Sequence, residues 1–355
     1  MSGVVDRIDR FQERHPLVSF PLAVVYKFFD DQGNYLAAIL TYYAFVAIFP
    51  LMLLGTSILG FILEGRPGWQ EDILNSALSQ FPIIGEELGR PEGLSGSVGG
   101  VAVGALAALY GALGLGQAVQ NSMHVVWSVP RNSRPNPIYA RVKSLLLIMT
   151  AGASLLAVTV VSAIASTTEA FNEWLNTSVK WLLPVVTVLV IGCGLTTLFR
   201  FAATGQHSLR RAAPGGFTLA VLWQLLQYIG AAYVAAVLVG TSSMTKIFGL
   251  VLGLVGFLYI GSVMAVLAME VNVVIARRLY PRALLTPFTD NVRLTGADRR
   301  AYTGYAQMQR HKGFETVEVV FADRSAEPDE RGPHDGPDPA RAQPDRPPAK
   351  AGPED

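Results

Sequence analysis

Four polar side chains recur at helical spacing in a long segment that carries no formal charge between residues 93 and 130. Positions i, i+3, i+4 and i+7 lie on one face of a helix. This polar row consists of Gln117, Gln120, Asn121 and His124. Such a row can hydrogen-bond a polar substrate that moves along the helix, or it can mark the place where the helix leaves the lipid. The topology of the chain has to decide between the two.

The polar row follows a ridge of small residues. They recur every fourth position, at Gly96, Gly100, Gly104, Ala108, Ala112 and Gly116. A small-residue ridge lets a second helix approach closely inside a bilayer. At about 1.5 Å per residue the whole segment is longer than a bilayer core of about 30 Å. We therefore expect either a break near Gly111, Gly114 and Gly116 or a projection into the cytoplasm.

A second polar group occurs within a later apolar segment. Gln224, Gln227 and Tyr228 share a helix face, which we expect to point into a helical bundle. Hydrogen bonds between helices explain such a face, and a lining for the path of a polar headgroup explains it as well.

A carboxylate and an amide end the last apolar segment of the sequence, at Glu270 and Asn272. At this place Glu270 can reach interfacial water or pair with Arg277 or Arg278, which would anchor the helix. It can equally take part in handling a substrate. Both alternatives stay open from the sequence.

Signatures of enzymes are missing. The five histidines are scattered without metal-ligand spacing, Cys193 is the only cysteine, and no P-loop or nucleophile elbow occurs. No soluble basic domain suggests binding to nucleic acid. We therefore expect no catalytic residue, no metal or other cofactor, and no nucleic-acid partner.

Composition places the chain in a membrane. Half of the residues (51%) are hydrophobic and 15% are charged, against about 25% charged in soluble domains. Six charge-free runs are long enough for transmembrane helices, at residues 36–63, 97–127, 145–167, 181–199, 217–239 and 247–269. No Asp, Glu, Lys or Arg lies in the central part of these runs, which argues against ion-coupled transport.

The distribution of Lys and Arg orients the bundle. Six spans place four segments on the same side of the membrane: the N-terminus, the loops after the second and fourth spans, and the C-terminal tail. These four segments contain 24 of the 28 Lys and Arg residues. The positive-inside rule therefore puts both termini in the cytoplasm. The first 16 residues lack the order of a secretory signal, so we expect the first helix to remain as an uncleaved anchor.

The sequence divides into four parts. Residues 1–30 are a cytosolic N-terminus with an interfacial helix, 31–280 the six-helix transmembrane domain, 281–323 a cytosolic segment, and 324–355 a disordered, proline-rich tail. The first outside loop carries an amphipathic stripe, which predicts a short helix. The cytosolic segment predicts a surface helix over 298–309 and a strand-like piece over 316–321. The fold class is thus all-α: a polytopic six-transmembrane-helix bundle with an amphipathic helix in the first outside loop.

Motifs along residues 28–275 resemble the YihY/BrkB family of bacterial inner-membrane proteins, which once carried a ribonuclease label that nothing in this sequence supports. The matching motifs are residues 37–45 with Phe49-Pro50-Leu51, Gln120-Asn121 with Trp127 and Arg141, Pro214-Gly215-Gly216 with Trp223 and Tyr233, and Ala268-Met269-Glu270-Val271-Asn272. Phe248-Gly249 departs from the family's usual Tyr-Gly. The resemblance implies six helices with both termini inside, in the bacterial inner membrane, and a transport or lipid-handling role.

Two functions fit these patterns. The first is passive or partner-driven movement of a lipid or other amphiphile across the cytoplasmic membrane. Its substrate path would include Gln117, Asn121, His124, Gln224, Gln227, Tyr228, Glu270 and Asn272, and its headgroup-binding residues Arg131, Arg134, Arg200 and Arg211. The second is a structural or assembly protein without transport, which binds protein partners through the outside loop or the cytosolic tail. Membrane lipids are the expected partners in the first case, and a ribonuclease is a distant third.

Overall fold

The computed structural model describes residues 7, 11–12, 14–62, 98–168, 173–205, 208–233, 243–284 and 293–321, which contain eight α-helices and no β-strand. The helices are α1 (Pro16–Asp30), α2 (Gly33–Ile62), α3 (Val98–Val126), α4 (Pro137–Thr168), α5 (Glu173–Ala202), α6 (Leu209–Tyr233), α7 (Ser243–Arg277) and α8 (Gly296–Met308). The all-α prediction is confirmed for this part of the chain. The strand-like piece predicted at 316–321 is wrong, because those residues form no ladder. The outside-loop helix and the tail from 324 onward lie outside the described residues.

Helices α2 to α7 coincide with the six predicted spans. Three of their segments are long and apolar enough to cross a membrane: Pro137–Ala157, Pro184–Ala202 and Phe248–Arg277. A shorter apolar helix covers Gly33–Ile48. The described residues therefore have the character of a helical membrane protein, and the number of six spans stays a prediction.

The six long helices form a closed ring in chain order. Each packs against the next, and α7 closes the ring by packing against α2. Helix α7 also contacts α1 and α3, so it has four neighbours among the described helices. Because α3 and α7 both end near the side where α1 and α8 pack, this polar end of the bundle collects side chains from four elements.

Glycines in α3 allow its backbone to approach the backbones of neighbouring helices in this ring. A Cβ atom at Gly111 of α3 would lie 2.9 Å from the Cα of Ala47 in α2, and one at Gly116 would lie 2.9 Å from the Cα of Ser144 in α4. Such distances leave no room for a side chain. Helix α3 is continuous over 98–126, so the first of the two alternatives, a break near these glycines, is wrong, and the projection into the cytoplasm stays a prediction. The glycines let α2 and α4 pack on either side of α3.

Gly111→Ala is expected to destabilise the protein by about 1–3 kcal/mol, because the added methyl group forces α2 and α3 apart. Gly152→Ala in α4 is the matched control, since a Cβ there meets no atom within 4 Å. The control should gain up to about 1 kcal/mol from its better helix propensity. Thermal unfolding in detergent micelles compares the two. Equal effects of the two substitutions would contradict the close α2–α3 packing.

Two short helices cover the polar end of the bundle. Helix α1 turns Ser19, Ala23 and Lys27, spaced four apart, toward the protein, and leaves Leu17 and Phe29 exposed. Its outer face is therefore apolar, as the predicted interfacial helix requires. Helix α8 confirms the helix predicted over 298–309. A capping box between Thr295 and Asp298 begins α8, and its inner face is buried.

Left-handed residues end the two central helices. Ser128 follows α3 with φ 46° and Arg278 follows α7 with φ 52°. In both places the residue after the left-handed one donates its N–H to a carbonyl five positions back, from Val129 to His124 and from Leu279 to Val274. This is the Schellman arrangement, which satisfies carbonyls at a helix end. Both helices thus stop sharply at the polar end.

Candidate functional site: the polar end of the bundle

The polar row of α3 lines a pocket at the polar end. The pocket has a volume of about 280 Å³. Its walls are Gln117, Gln120, Asn121 and His124 from α3, and Arg134, Pro135, Pro137, Ala140 and Arg141 from the following turn and the start of α4. The helical spacing therefore places the polar row on one surface, as the sequence predicted, and the turn after α3 and the start of α4 each bring one guanidinium group to it.

Two side chains of the pocket are buried and keep an atom without a hydrogen-bond partner. Gln120 uses its Nε2 to reach the carbonyl of Ala140 at 3.0 Å and the hydroxyl of Ser144 at 2.8 Å. His124 uses its Nε2 with the hydroxyl of Thr204 at 2.7 Å. Oε1 of Gln120 and Nδ1 of His124 remain unpaired. Buried polar atoms are usually satisfied, so these two are suited to hydrogen-bond a ligand.

Arg134 is the predicted headgroup-binding residue that the structure places in this pocket. Its side chain is half-buried, and its Nε donates to the carbonyl of Val129 at 3.4 Å. Burial, and secondarily the charge of Arg131, lower the pKa of Arg134, which nonetheless stays cationic at neutral pH because an arginine titrates so far above it. The other three predicted arginines, Arg131, Arg200 and Arg211, are exposed and do not line the pocket.

Glu270 belongs to a buried ion cluster that the sequence did not reveal. Its side chain is fully buried and lies 3.6 Å from the Nζ of Lys27 in α1. Lys27 also contacts Asp31 at 2.5 Å and donates to the carbonyl of Val126 at 3.1 Å. The partner of Glu270 is therefore Lys27, and the expected pairing with Arg277 or Arg278 is wrong. Arg277 instead donates to the carbonyl of Trp127.

A second buried ion cluster adjoins the first. Arg282 is fully buried and pairs with Asp298 at the start of α8 and with Asp30 at the end of α1, 3.0 Å away. The hydroxyl of Tyr305 also donates to Asp30 at 3.3 Å, and the ring of Tyr305 lies 5.0 Å from the ammonium of Lys27. Burial, followed by the nearby carboxylates, raises the pKa of Tyr305. The two clusters tie α1, α7 and α8 together.

Asn272 has a structural contact. Its Oδ1 accepts the backbone N–H of Gly215 at 2.7 Å, next to Pro214, which has no N–H to donate. A Cβ at Gly215 would lie 2.1 Å from the carbonyl oxygen of Ala268. Asn272 therefore joins α6 to α7 where their backbones approach closely, and a role on a substrate path stays a prediction.

The second predicted polar group divides between two environments. Gln224 and Gln227 are half-buried, whereas Tyr228 is 61% exposed. The predicted inward orientation is therefore wrong for Tyr228. The inner face of α6 is formed by Ala220 and Leu226.

An apolar crevice lies between α4, α5, α6 and α7. Its volume is about 270 Å³. It is lined mainly by small and aliphatic side chains and by the indole of Trp223. A Cβ at Gly194 of α5 would lie 2.1 Å from the hydroxyl oxygen of Ser154 in α4, so α4 and α5 touch beside the crevice. Its surface suits an acyl chain and offers little to a polar group.

The described residues contain no group of three or more His, Cys, Asp and Glu side chains that could hold a metal ion. The ion clusters do not change this, because each contains a Lys or Arg between its carboxylates. The side chains described at the polar end offer hydrogen bonding, charge pairing and proton exchange.

Long apolar helices, three of them with segments able to cross a membrane, give the described residues the character of an α-helical membrane protein. The chain belongs to the family described as virulence factor BrkB, whose family model matches residues 24–291. The resemblance drawn from the motifs is confirmed, and the matched range includes the polar row, Lys27, Asp31, Glu270 and Arg282. No curated protein and no solved structure matches the chain.

Proposed function

We propose that this protein moves an anionic lipid, or another anionic amphiphile, across the bacterial cytoplasmic membrane, either passively or driven by a partner. In this proposal α2 to α7 each cross the bilayer and both termini lie in the cytoplasm, as the distribution of Lys and Arg indicates. The polar end of the bundle then faces the cytoplasmic leaflet.

The pocket at the polar row is the observation that carries the proposal. Arg134 and Arg141 line it from one side, and Gln120 and His124, each of which keeps one buried atom without a hydrogen-bond partner, line it from α3. Guanidinium groups bind phosphate through paired, charge-assisted hydrogen bonds. Basic groups on the cytoplasmic side also attract anionic lipids. The pocket therefore suits the phosphate of a lipid headgroup.

The apolar crevice supports the same proposal, because α4 borders both cavities. Ala140 lines the pocket and Ala151 lines the crevice. They are eleven positions apart on the helix, which corresponds to about 16 Å and about three full turns. One face of α4 thus passes from a polar cavity to an apolar one, as a headgroup joined to an acyl chain requires.

Translocation of a fluorescent phosphatidylglycerol in liposomes tests the proposal. The wild-type protein should move the lipid faster than protein-free vesicles do. Gly261→Leu should bring the rate down to that of empty vesicles, because a side chain at Gly261 extends toward Trp223 and fills the crevice. Gly256→Leu on the same helix is the matched control, since a Cβ there meets no atom within 4 Å.

The headgroup part is tested by Arg134→Gln. Loss of a charged hydrogen bond of about 1.5–3 kcal/mol should weaken anionic lipid binding by about tenfold or more, while a zwitterionic lipid is affected less. Wild-type translocation equal to that of empty vesicles would sink the proposal and favour a structural or assembly role. The outside loop and the tail, through which such a protein would bind partners, lie outside the described residues.

A further inference from the structure

We propose that the carboxyl group of Glu270 is a proton-binding site, with Lys27 and Asp31 setting its affinity for the proton. The sequence argued against ion coupling because no charged residue lies in the central part of a predicted span. The fold brings Lys27 and Asp31 from α1 and the turn after it to the side of Glu270. The inference goes beyond the proposed function, since a chain that moved no lipid would still hold this proton.

The geometry leaves Glu270 without a donor. Both of its carboxylate oxygens are buried and accept no hydrogen bond. The ammonium of Lys27 lies 3.6 Å away, beyond hydrogen-bonding distance. That ammonium is already engaged by Asp31, by the carbonyl of Val126 and by the ring of Tyr305. A protonated Glu270 would remove the cost of a buried, unsatisfied charge.

The charge count of the cluster points the same way. Two carboxyl groups, those of Asp31 and Glu270, share the single ammonium of Lys27. With every group ionised, the cluster would carry one excess negative charge in a buried place, which is costly. One bound proton makes the cluster neutral. Like-charged carboxyl groups that share a site commonly hold a proton in this way.

The neighbouring ion cluster also has two carboxylates for one cation, but both of its carboxylates accept additional hydrogen bonds. Asp298 accepts the backbone N–H groups of Ala283 and Thr295 in addition to the guanidinium of Arg282. Asp30 accepts the hydroxyl of Tyr305 as well as Arg282. Hydrogen bonds of this kind stabilise the ionised form of a carboxyl group. Glu270 has none of them, so the proton belongs on Glu270.

The titratable and polar groups around Glu270 come from α1, α3, α7 and α8. Helix α1 and the turn after it supply Lys27 and Asp31, and α8 supplies Tyr305. Arg277, on the same helix as Glu270, is directed to the carbonyl of Trp127, and α3 contributes the carbonyl of Val126. Burial raises the pKa of Asp31 against the lowering effect of Lys27. The second carboxyl group of the cluster therefore also favours proton exchange.

A proton fits this site better than a metal ion. No set of three or more ligating side chains occurs in the described part of the chain. The ammonium of Lys27 moreover lies against both carboxyl groups, which would repel a second cation. The ligand is therefore the proton itself, taken up by a carboxylate oxygen of Glu270 and released from it.

Infrared spectroscopy of the full-length protein in lipid nanodiscs tests the assignment. The carbonyl stretch of a protonated carboxyl group is resolved from the bands of a carboxylate. At neutral pH the wild type should show this band, and Glu270→Gln, which has the shape of the protonated acid, should lack it. Glu315→Gln is the matched control, because Glu315 is partly exposed and its pKa is lowered by the backbone N–H groups of His311 and Lys312.

Two outcomes would overturn the proposal. One is a wild-type spectrum without the band at neutral pH. The other is a band that persists in Glu270→Gln and disappears in Asp31→Asn, which would put the proton on Asp31. A further measurement is the pH midpoint of the band in Lys27→Gln, which should rise by about one to three pH units because an opposite charge is lost. An unchanged midpoint would show that Lys27 does not set the affinity.

Discussion

Replacing Arg282 by methionine is expected to lower the free energy of unfolding by about 3–5 kcal/mol, because two buried carboxylates lose their cation. Arg282 is fully buried, and it pairs with Asp30 from α1 and Asp298 from α8. Burial alone would lower the pKa of Arg282, but the two carboxylates raise it above its ordinary value. The guanidinium group of Arg282 therefore stays charged at every ordinary pH. The substitution therefore loosens the contact of both covering helices with the bundle.

The expected loss is measured by denaturant unfolding in mixed micelles, against Arg293→Met as a matched control. Arg293 is exposed, so its replacement should change stability by less than about 0.5 kcal/mol. The double variant Arg282→Met with Asp298→Asn should recover part of the loss, because it removes one of the unpaired charges. Equal stability of Arg282→Met and Arg293→Met would contradict the buried cluster.

Lys27→Met is expected to have a loss of similar size, about 3–5 kcal/mol near neutral pH. Lys27 is buried, and its ammonium holds Asp31 at 2.5 Å and the end of α3 through the carbonyl of Val126. Without it, Asp31 stays buried as an unpaired carboxylate. Lys312→Met, at an exposed position, is the matched control. Asp31→Asn added to Lys27→Met should restore part of the stability.

The loss in Lys27→Met should depend on pH. Burial raises the pKa of Asp31 above its ordinary value of 3.8, and Lys27 opposes this, so removal of Lys27 raises the pKa further. At pH values between the pKa of Asp31 in the unfolded chain and its higher pKa in the folded protein, the folded protein binds more protons than the unfolded chain does. The free energy of unfolding then falls as pH rises. Lys27→Met should therefore be most damaging at mildly alkaline pH, and a loss that grows toward acid would contradict this account.

Periodicity predicted the polar wall of the pocket, because its four residues come from one helix. The polar row keeps its spacing on α3 whatever surrounds it, and Arg134 follows a few positions later in the chain. The all-helical architecture followed from apolar runs of bilayer length. Both predictions rest on local patterns that tertiary packing does not change.

The ion clusters escaped prediction because their members are far apart in the chain. Asp30 and Arg282, for instance, are 252 positions apart. The sequence of α1 is typical of an interfacial helix with Lys27 in the headgroup region. The structure turns Lys27 inward and leaves apolar side chains on the outer face. One feature of the sequence did indicate an ion pair at this place. Asp30 and Asp31 follow Lys27 by three and four positions, which lie on the same helix face, and the apolar segments contain no such acidic pair.

The wrong prediction for Tyr228 is explained by the rotation of α6 about its own axis. Tyr228 shares a face with Gln224 by spacing, yet it is exposed. Helix α6 is apolar nearly all round, so its sequence gives little indication of which face is buried. Its rotation is decided by close packing, where Gly216 faces the backbone of Thr196 and Gly215 faces the carbonyl of Ala268. Such contacts are known only from the fold.

Crosslinking of a bound lipid tests the central claim, that the pocket beside the polar row receives an anionic headgroup. Phosphatidylglycerol with a photoactivatable headgroup is reconstituted with the full-length protein, and the labelled peptides are identified by mass spectrometry. The account predicts labelling of the segment from Gln117 to Arg141, reduced in Arg134→Gln and unchanged in the exposed-site control Arg293→Gln. Labelling confined to the exposed apolar faces of the helices, with none in that segment, would contradict it.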